Sequence, residues 1–254
     1  VTVRIVVVTR NERGIASRFL RRALPGELEV AAVLHDQGTP TSRAAHYRVK
    51  ALKLRRLGPT IAPVAFVLRP AYARADAADV PALGELPVRV ERVTSANSEV
   101  ARDLLRELEP DLALTLGSRF LHERTFSIPR LGTINVHHGR VPEYRGGPPI
   151  FWELVAGEAE VGYIVHQIDA GIDTGAVYAS GSVAIERRSS LADTILATLP
   201  PLYERSLDTL TDVLVALAQG AAEASPQPPA AGRPNSSPRL SDYLRARGSL
   251  RAAR

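Results

Sequence analysis

The sequence predicts an α/β fold built on a mostly parallel sheet with helices on both faces. Three observations carry this: short apolar runs with no polar alternation, helical patterns between them, and polar residues gathered where the runs end. "RIVVVT", residues 4–9, is apolar almost throughout and fits a strand buried on both sides. A helix is expected over residues 15–24, and "LEVAAVLH", residues 28–35, is the next strand, so the chain opens β-α-β. Residues 39–75 are less regular. They hold a basic helix-like stretch and an apolar patch, "TIAPVAFVL", that Pro63 breaks, and they read as a helical insertion. "PVRVERV", residues 87–93, is a strand; Asn97 is the expected N-cap of a helix running to Leu108, and Pro110 ends that helix before the strand "DLALTL", residues 111–116.

The strand "TINVH" follows, then a helix over residues 148–156 and two strands, "VGYIVHQI" at 161–168 and "AVYASGSVAI" at 176–185. Residues 189–218 form a long helical region, which Pro200 and Pro201 are expected to interrupt. Beyond Gly220 the composition shifts to "AAEASPQPPAAGRPNSSPR". The expected division is therefore one main domain over residues 1–220 and, over 221–254, a Pro/Ala-rich linker and Arg-rich tail with few buried contacts.

With 254 residues and 45% hydrophobic content the chain can build one substantial core. No apolar run reaches the length of a membrane span, and the apolar opening is too short for a signal peptide, so the expectation is a cytoplasmic protein with no membrane partner. The absence of cysteine excludes disulfides, thiolate metal ligands and a cysteine nucleophile. A net charge of +5 invites a nucleic-acid reading. However, six arginines from Arg233 to Arg254 against Asp242 alone account for the whole excess. A second cluster, Arg43, Arg48, Lys50, Lys53, Arg55 and Arg56, reads as a solvated face, and nucleic acid is not an expected partner.

There is no G-x-S-x-G elbow, no G-x-x-x-x-G-K-S/T loop, and "TRNERGIAS" after the first strand lacks the dinucleotide glycines. What stands out is "INVHHGRVPEYRGGPPIFWELVAG". On an extended chain Asn135 and His137 point the same way, about 6 to 7 Å apart, at the carboxyl end of a strand where ligands of parallel sheets sit. His138 points the other way, so it cannot easily share an ion with His137, and no metal is expected although His166, Asp169 and Asp173 add further ligand types. Gly146 and Gly147 let the following turn pass close to a ligand, and Arg145 in it is either a structural clamp or an anion contact.

These residues, with "GYIVHQIDAGIDTGAVY", resemble the formyltransferase family that uses 10-formyltetrahydrofolate, whose pattern is N-x-H, a P-x-Y-R-G turn, and an aspartate in D-x-G. Here those are Asn135 and His137; Pro142, Tyr144, Arg145 and Gly146; and Asp173 with Gly175. The resemblance is strongest over residues 111–178 and weaker from residue 1 to about 220. It implies a Rossmann-like catalytic domain whose triad, Asn135, His137 and Asp173, transfers a formyl group to an amine. Such transfer passes through an oxyanion, which Asn135 and a protonated His137 would hydrogen-bond, while Asp173 holds the imidazolium and helps remove the amine's proton.

The resemblance places the folate in two loops, Arg119, Phe120 and Leu121, and Ile168, Asp169, Ala170, Gly171 and Ile172, and places Tyr144, Arg145 and Gly146 against the acceptor. Purine-pathway members carry a glycine-rich first loop, here reduced to Gly14, and members acting on methionyl-tRNA carry a further C-terminal β-barrel for which residues 221–254 are too short. The acceptor it implies is the primary amine of a small molecule, an amino sugar or a specialised metabolite. Two alternatives stay open: methionyl-tRNA formyltransferase-like activity, and hydrolysis of 10-formyltetrahydrofolate to formate. Against the hydrolase, the family's dedicated hydrolases open with a regulatory domain, whereas this sequence opens on a strand.

Overall fold

A computed structural model describes residues 2–38, 62–229, 233–235 and 237–252. Its sheet has seven strands: β1 (Val3–Thr9), β2 (Leu28–Asp36), β3 (Val90–Val93), β4 (Leu112–Thr115), β5 (Thr133–His137), β6 (Glu160–Gln167) and β7 (Val177–Ala184), in the order β3-β2-β1-β4-β5-β6-β7. Strands β1 to β5 are parallel; β6 and β7 are antiparallel additions. The alternating β1 side chains explain the apolar run. Val3, Ile5 and Val7 pack into one core with α1 (Ile15–Leu20), α2 (Ala62–Ala77) and the later helix α6 (Leu191–Ala218), while Val6 and Val8 face a second core with α3 (Glu99–Leu108). Helices thus cover both faces. The remaining helices are α4 (Glu123–Phe126), α5 (Phe151–Ala156) and α7 (Leu240–Ala252).

Several expectations change for local reasons. The first helix stops at Leu20, short of residue 24, because Pro25 disfavours helical backbone just before it and Arg22 N–H closes a tight turn on Phe19 O. Ser98, not Asn97, caps α3, its Oγ accepting from Ala101 N–H at 3.2 Å. Asn97 instead ties the loop after β4, donating to Phe120 O (2.8 Å) and accepting from His122 N–H (2.7 Å). Of the expected insertion, residues 39–61 lie outside the described residues. Pro63 does not break the rest, since it falls in the first turn of α2, where a missing N–H costs nothing. That helix is part of the main core through Val64, Leu68, Ala71 and Ala75.

Pro200 and Pro201 do not interrupt α6 either. The helix runs through both, held by buried Leu199, Leu202, Tyr203, Leu207 and Leu210, so tertiary packing overrides the lost hydrogen bonds. Nor is the tail loose. Ser225 exchanges two backbone hydrogen bonds with Val177, both 2.8 Å, and α7 buries Ala246 and Leu250 in the main core. Among the described residues no helix is long and apolar enough to cross a membrane.

Candidate active site

The chain turns one way from β1 to β2 and the other way to reach β4, so the crevice of the sheet opens beyond the carboxyl ends of these strands. Asn135 and His137 stand at that end of β5. The antiparallel pairing of β6 sets His166 directly across from Asn135.

The Asn135 amide is oriented by its neighbours. Thr115 Oγ1 donates to its Oδ1 at 2.7 Å, leaving Nδ2 as the donor toward the crevice, 3.0 Å from His166 Nε2. His166 Nδ1 lies 2.7 Å from Gln167 O; a carbonyl only accepts, so Nδ1 carries the proton and Nε2 is free to accept from Asn135. The same logic fixes His137. Its Nε2 donates to Tyr144 O at 2.8 Å, and its Nδ1 faces Asp173 Oδ2 at 3.2 Å.

Asp173 sits in left-handed backbone, φ 53°, on the loop after β6. Gly146 N–H donates to its Oδ2 at 2.8 Å and His166 Nε2 lies 3.7 Å from its Oδ1. Burial opposes its charge, but His166 and His137 beside it and the Gly146 N–H outweigh burial and bring its pKa down to about 2. For His137 burial wins: it lowers the imidazole pKa more than Asp173 and the Tyr144 carbonyl raise it. Asp173 is therefore ionised, and each ring nitrogen of His137 faces an oxygen that only accepts, Tyr144 O and Asp173 Oδ2, so the pair is arranged to hold a proton on His137 although burial opposes its charge.

Two motif glycines have steric reasons. A Cβ at Gly175 would lie 1.9 Å from Gln167 O, and Gly146, at φ 64°, has Asn235 O 3.1 Å from where its Cβ would be. The P-x-Y-R-G turn supports His137 and Asp173, and its Tyr144 also borders a cavity of about 580 Å³ beside β6 and β7. Tyr144 gives its carbonyl to His137 and its hydroxyl to Glu158 (2.9 Å), Gly146 gives its N–H to Asp173, and buried Arg145 donates to Ile172 O at 3.5 Å.

A cavity of about 210 Å³ opens on Asn135, His166 and Asp173, with Thr115 behind them. Arg119, Phe120 and Leu121 form one wall, Ile168, Asp169, Gly171 and Ile172 the other; Ala170 is exposed and outside it. Phe120 and Ile172 are half exposed at its mouth, apolar surfaces suited to a flat ring. Asp169 is held in its own loop, accepting from Gly171 N–H (3.0 Å) and Thr174 Oγ1 (2.7 Å). His137 does not line this cavity; it backs Asp173. His166 does, and sequence reasoning had counted it only among possible metal ligands. Its signal was the antiparallel register, which no spacing along the chain displays. Among the described residues no three His, Asp or Glu side chains are grouped to hold a metal ion.

His138 lies on the other face, its Nε2 3.0 Å from Ser206 Oγ and its ring 5.0 Å from that of Tyr203. Burial, with His137 nearby, pushes its pKa down to about 3. The unfolded chain, with an ordinary histidine, takes up a proton that the folded state refuses, so this contribution to stability is complete above about pH 6.5 and falls with pH. Glu153, raised by burial to about 7, titrates over the same window with opposite sign. The His138 part is therefore read as a difference. Wild type is expected to lose about 2 kcal/mol more than His138→Asn between pH 7 and pH 5 in urea melts, and equal slopes would mean the ring is solvated.

A family model described as formyl transferase matches residues 41–198. A methionyl-tRNA formyltransferase of Geobacter metallireducens is 36% identical over 129 residues, covering 49% of this chain and 41% of its own. One of Leifsonia xyli is 30% identical over 219 residues, covering 86% of this chain and 61% of its own. The chain thus spans between 41% and 61% of the length of these two relatives. Among solved structures, phosphoribosylglycinamide formyltransferase from Streptococcus pneumoniae superposes with a TM-score of 0.55 at 20% identity, over 85% of this chain and 99% of that one. HypX from Aquifex aeolicus gives 0.57 at 12% identity, over 100% of this chain and 36% of that one. At such identities these two speak for the fold alone.

Proposed function

Because the chain belongs to the formyl transferase family, we propose that it transfers a formyl group from 10-formyltetrahydrofolate to a primary amine of a small molecule. The observation that carries this reading is the meeting of Asn135, His166 and Asp173 in one cavity walled by the two loops that sequence resemblance assigns to the folate. The donor supplies an activated one-carbon acyl group; the residues of this chain supply the rest. Asn135 Nδ2, its orientation fixed by Thr115, has a second hydrogen available for the oxyanion that develops on the formyl oxygen. The proton that the attacking amine must lose goes to the Asp173–imidazole cluster, where His137 Nδ1 and His166 Nε2 both face the carboxylate. The cluster returns that proton to the departing folate nitrogen, so the site ends as it began.

Asn135→Ala is expected to lower turnover by about 10²-fold with an unchanged melting temperature, since only one side of a hydrogen-bond network facing the crevice is lost. Wild-type turnover in that variant would remove Asn135 from the mechanism.

The names of the sequence relatives favour a second reading, methionyl-tRNA as acceptor. Incubation with 10-formyltetrahydrofolate and a panel of amines that includes charged methionyl-tRNA separates the two. Tetrahydrofolate release is followed by absorbance and the formylated product by mass spectrometry. Amine-independent release would indicate a hydrolase.

A further inference from the structure

Arg119, Phe120 and Leu121, one wall of the cavity at Asn135, lie on the loop between β4 and α4. Leu121 anchors that loop by its side chain, buried in the second core. The backbone has less support. Among the described residues, only one group outside the loop hydrogen-bonds the backbone of residues 118–121, and it is the side chain of Asn97. Its Nδ2 donates to Phe120 O at 2.8 Å and its Oδ1 accepts from His122 N–H at 2.7 Å, so a single amide grips the chain on both sides of Leu121. A carbonyl only accepts and a backbone N–H only donates, which fixes the amide's orientation.

Asn97 is held in turn. Its N–H donates to Ser95 Oγ at 3.1 Å and its carbonyl accepts from Arg102 Nη1 at 2.6 Å, which ties it to α3, a helix fixed by Ala101, Leu105 and Leu108 in the second core. The helix does not need the Asn97 side chain, because Ser98 is its cap. Phe120 does need it. Its ring is 51% exposed at the cavity mouth, so burial cannot place it and its position follows from its backbone. Resting on the formyl-transfer reading above, we infer that Asn97 is a positioning residue of the donor site, holding this loop in place before the folate ring enters. A loop already ordered costs the incoming ligand less than one that the ligand must order.

The test uses the full chain and tetrahydrofolate, the product of the proposed transfer, in anaerobic titration calorimetry, with a thermal melt of each variant. Asn97→Ala should weaken tetrahydrofolate binding at least about 10-fold while the melting temperature stays within about 2 °C of wild type. Asn97→Asp separates the grip on the loop from a role at the helix end. It keeps an acceptor for His122 N–H and adds a negative charge near the N-terminus of α3, where that sign is favourable, but it sets a carboxylate oxygen against Phe120 O. A residue that served only the helix would tolerate this change or gain from it. With the grip lost, Asn97→Asp should bind tetrahydrofolate no better than Asn97→Ala, although it should melt at or above the temperature of the alanine variant.

Wild-type affinity in either variant would overturn the inference. So would a melting temperature lowered by more than about 2 °C in both variants, which would make Asn97 structural. In these cases tetrahydrofolate still binds the wild-type protein, so the donor assignment stands and only the role of Asn97 is removed. If tetrahydrofolate does not bind the wild-type protein, the donor assignment itself fails and the inference fails with it.

Discussion

Asp173→Asn is expected to lower turnover by on the order of 10³-fold while changing affinity for the formyl donor by no more than about twofold. The amide is nearly isosteric, so Gly146 N–H keeps an acceptor and the loop keeps its shape. What disappears is the charge. Asp173 raises the pKa of His137 against burial, and without it the His137 imidazole should titrate lower still, leaving the amine's proton without a site that can hold it during transfer. Turnover, folate affinity and the His137 titration by NMR in both proteins decide the matter. Near-normal turnover with an unmoved histidine titration would reduce Asp173 to a loop-shaping role.

Deletion from Pro226 onward is expected to lower the melting temperature and remove most of the activity. Composition argued the opposite, that the core would stay folded without its tail. The folded tail contributes on two scales. Leu250 and Ala246 bury apolar surface in the main core, and Arg187 reaches Ser249 O at 3.1 Å, together about 3 kcal/mol of stability. Closer to the site, Gln227 Nε2 donates to Asp173 O at 3.1 Å and Gly175 O at 2.7 Å, and Asn235 N–H donates to Arg145 O at 2.7 Å. These bonds hold a non-glycine residue in left-handed backbone, which without them can relax away from His137. Gln227→Ala isolates the local effect: turnover should fall about 10-fold at a nearly constant melting temperature. A truncated protein with wild-type melt and turnover would show that the tail is dispensable.

Much of the architecture was legible because burial on both sides leaves a plain record. Val3 to Val8 could only be an interior strand, and the spacing of Asn135 and His137 fixed their common face before any fold was known. The motif glycines were readable as close approaches, although what approaches Gly146, the chain at Asn235, was not. Other features were hidden because their causes lie far along the chain. His166 joins the site through a strand pairing across 31 residues, α6 survives two prolines on the strength of its buried face, and the Pro-rich tail is ordered by carbonyls that the D-x-G and P-x-Y-R-G turns leave unpaired. Composition reports how readily a segment orders by itself, and here the order comes from the surface it meets.

The bonds from Gln227 and Asn235 to the loops of Asp173 and Arg145 bear on how the protein is made. A chain growing from its amino end carries Asn135, His137 and Asp173 long before it carries the two residues that hold their loops in place. The sheet can assemble during synthesis, but the strained conformation of Asp173 waits for a segment added more than 50 residues later. Activity is thus expected only once residues 227–235 have cleared the ribosome, and a chain stalled or released before them would be a folded sheet without a working site.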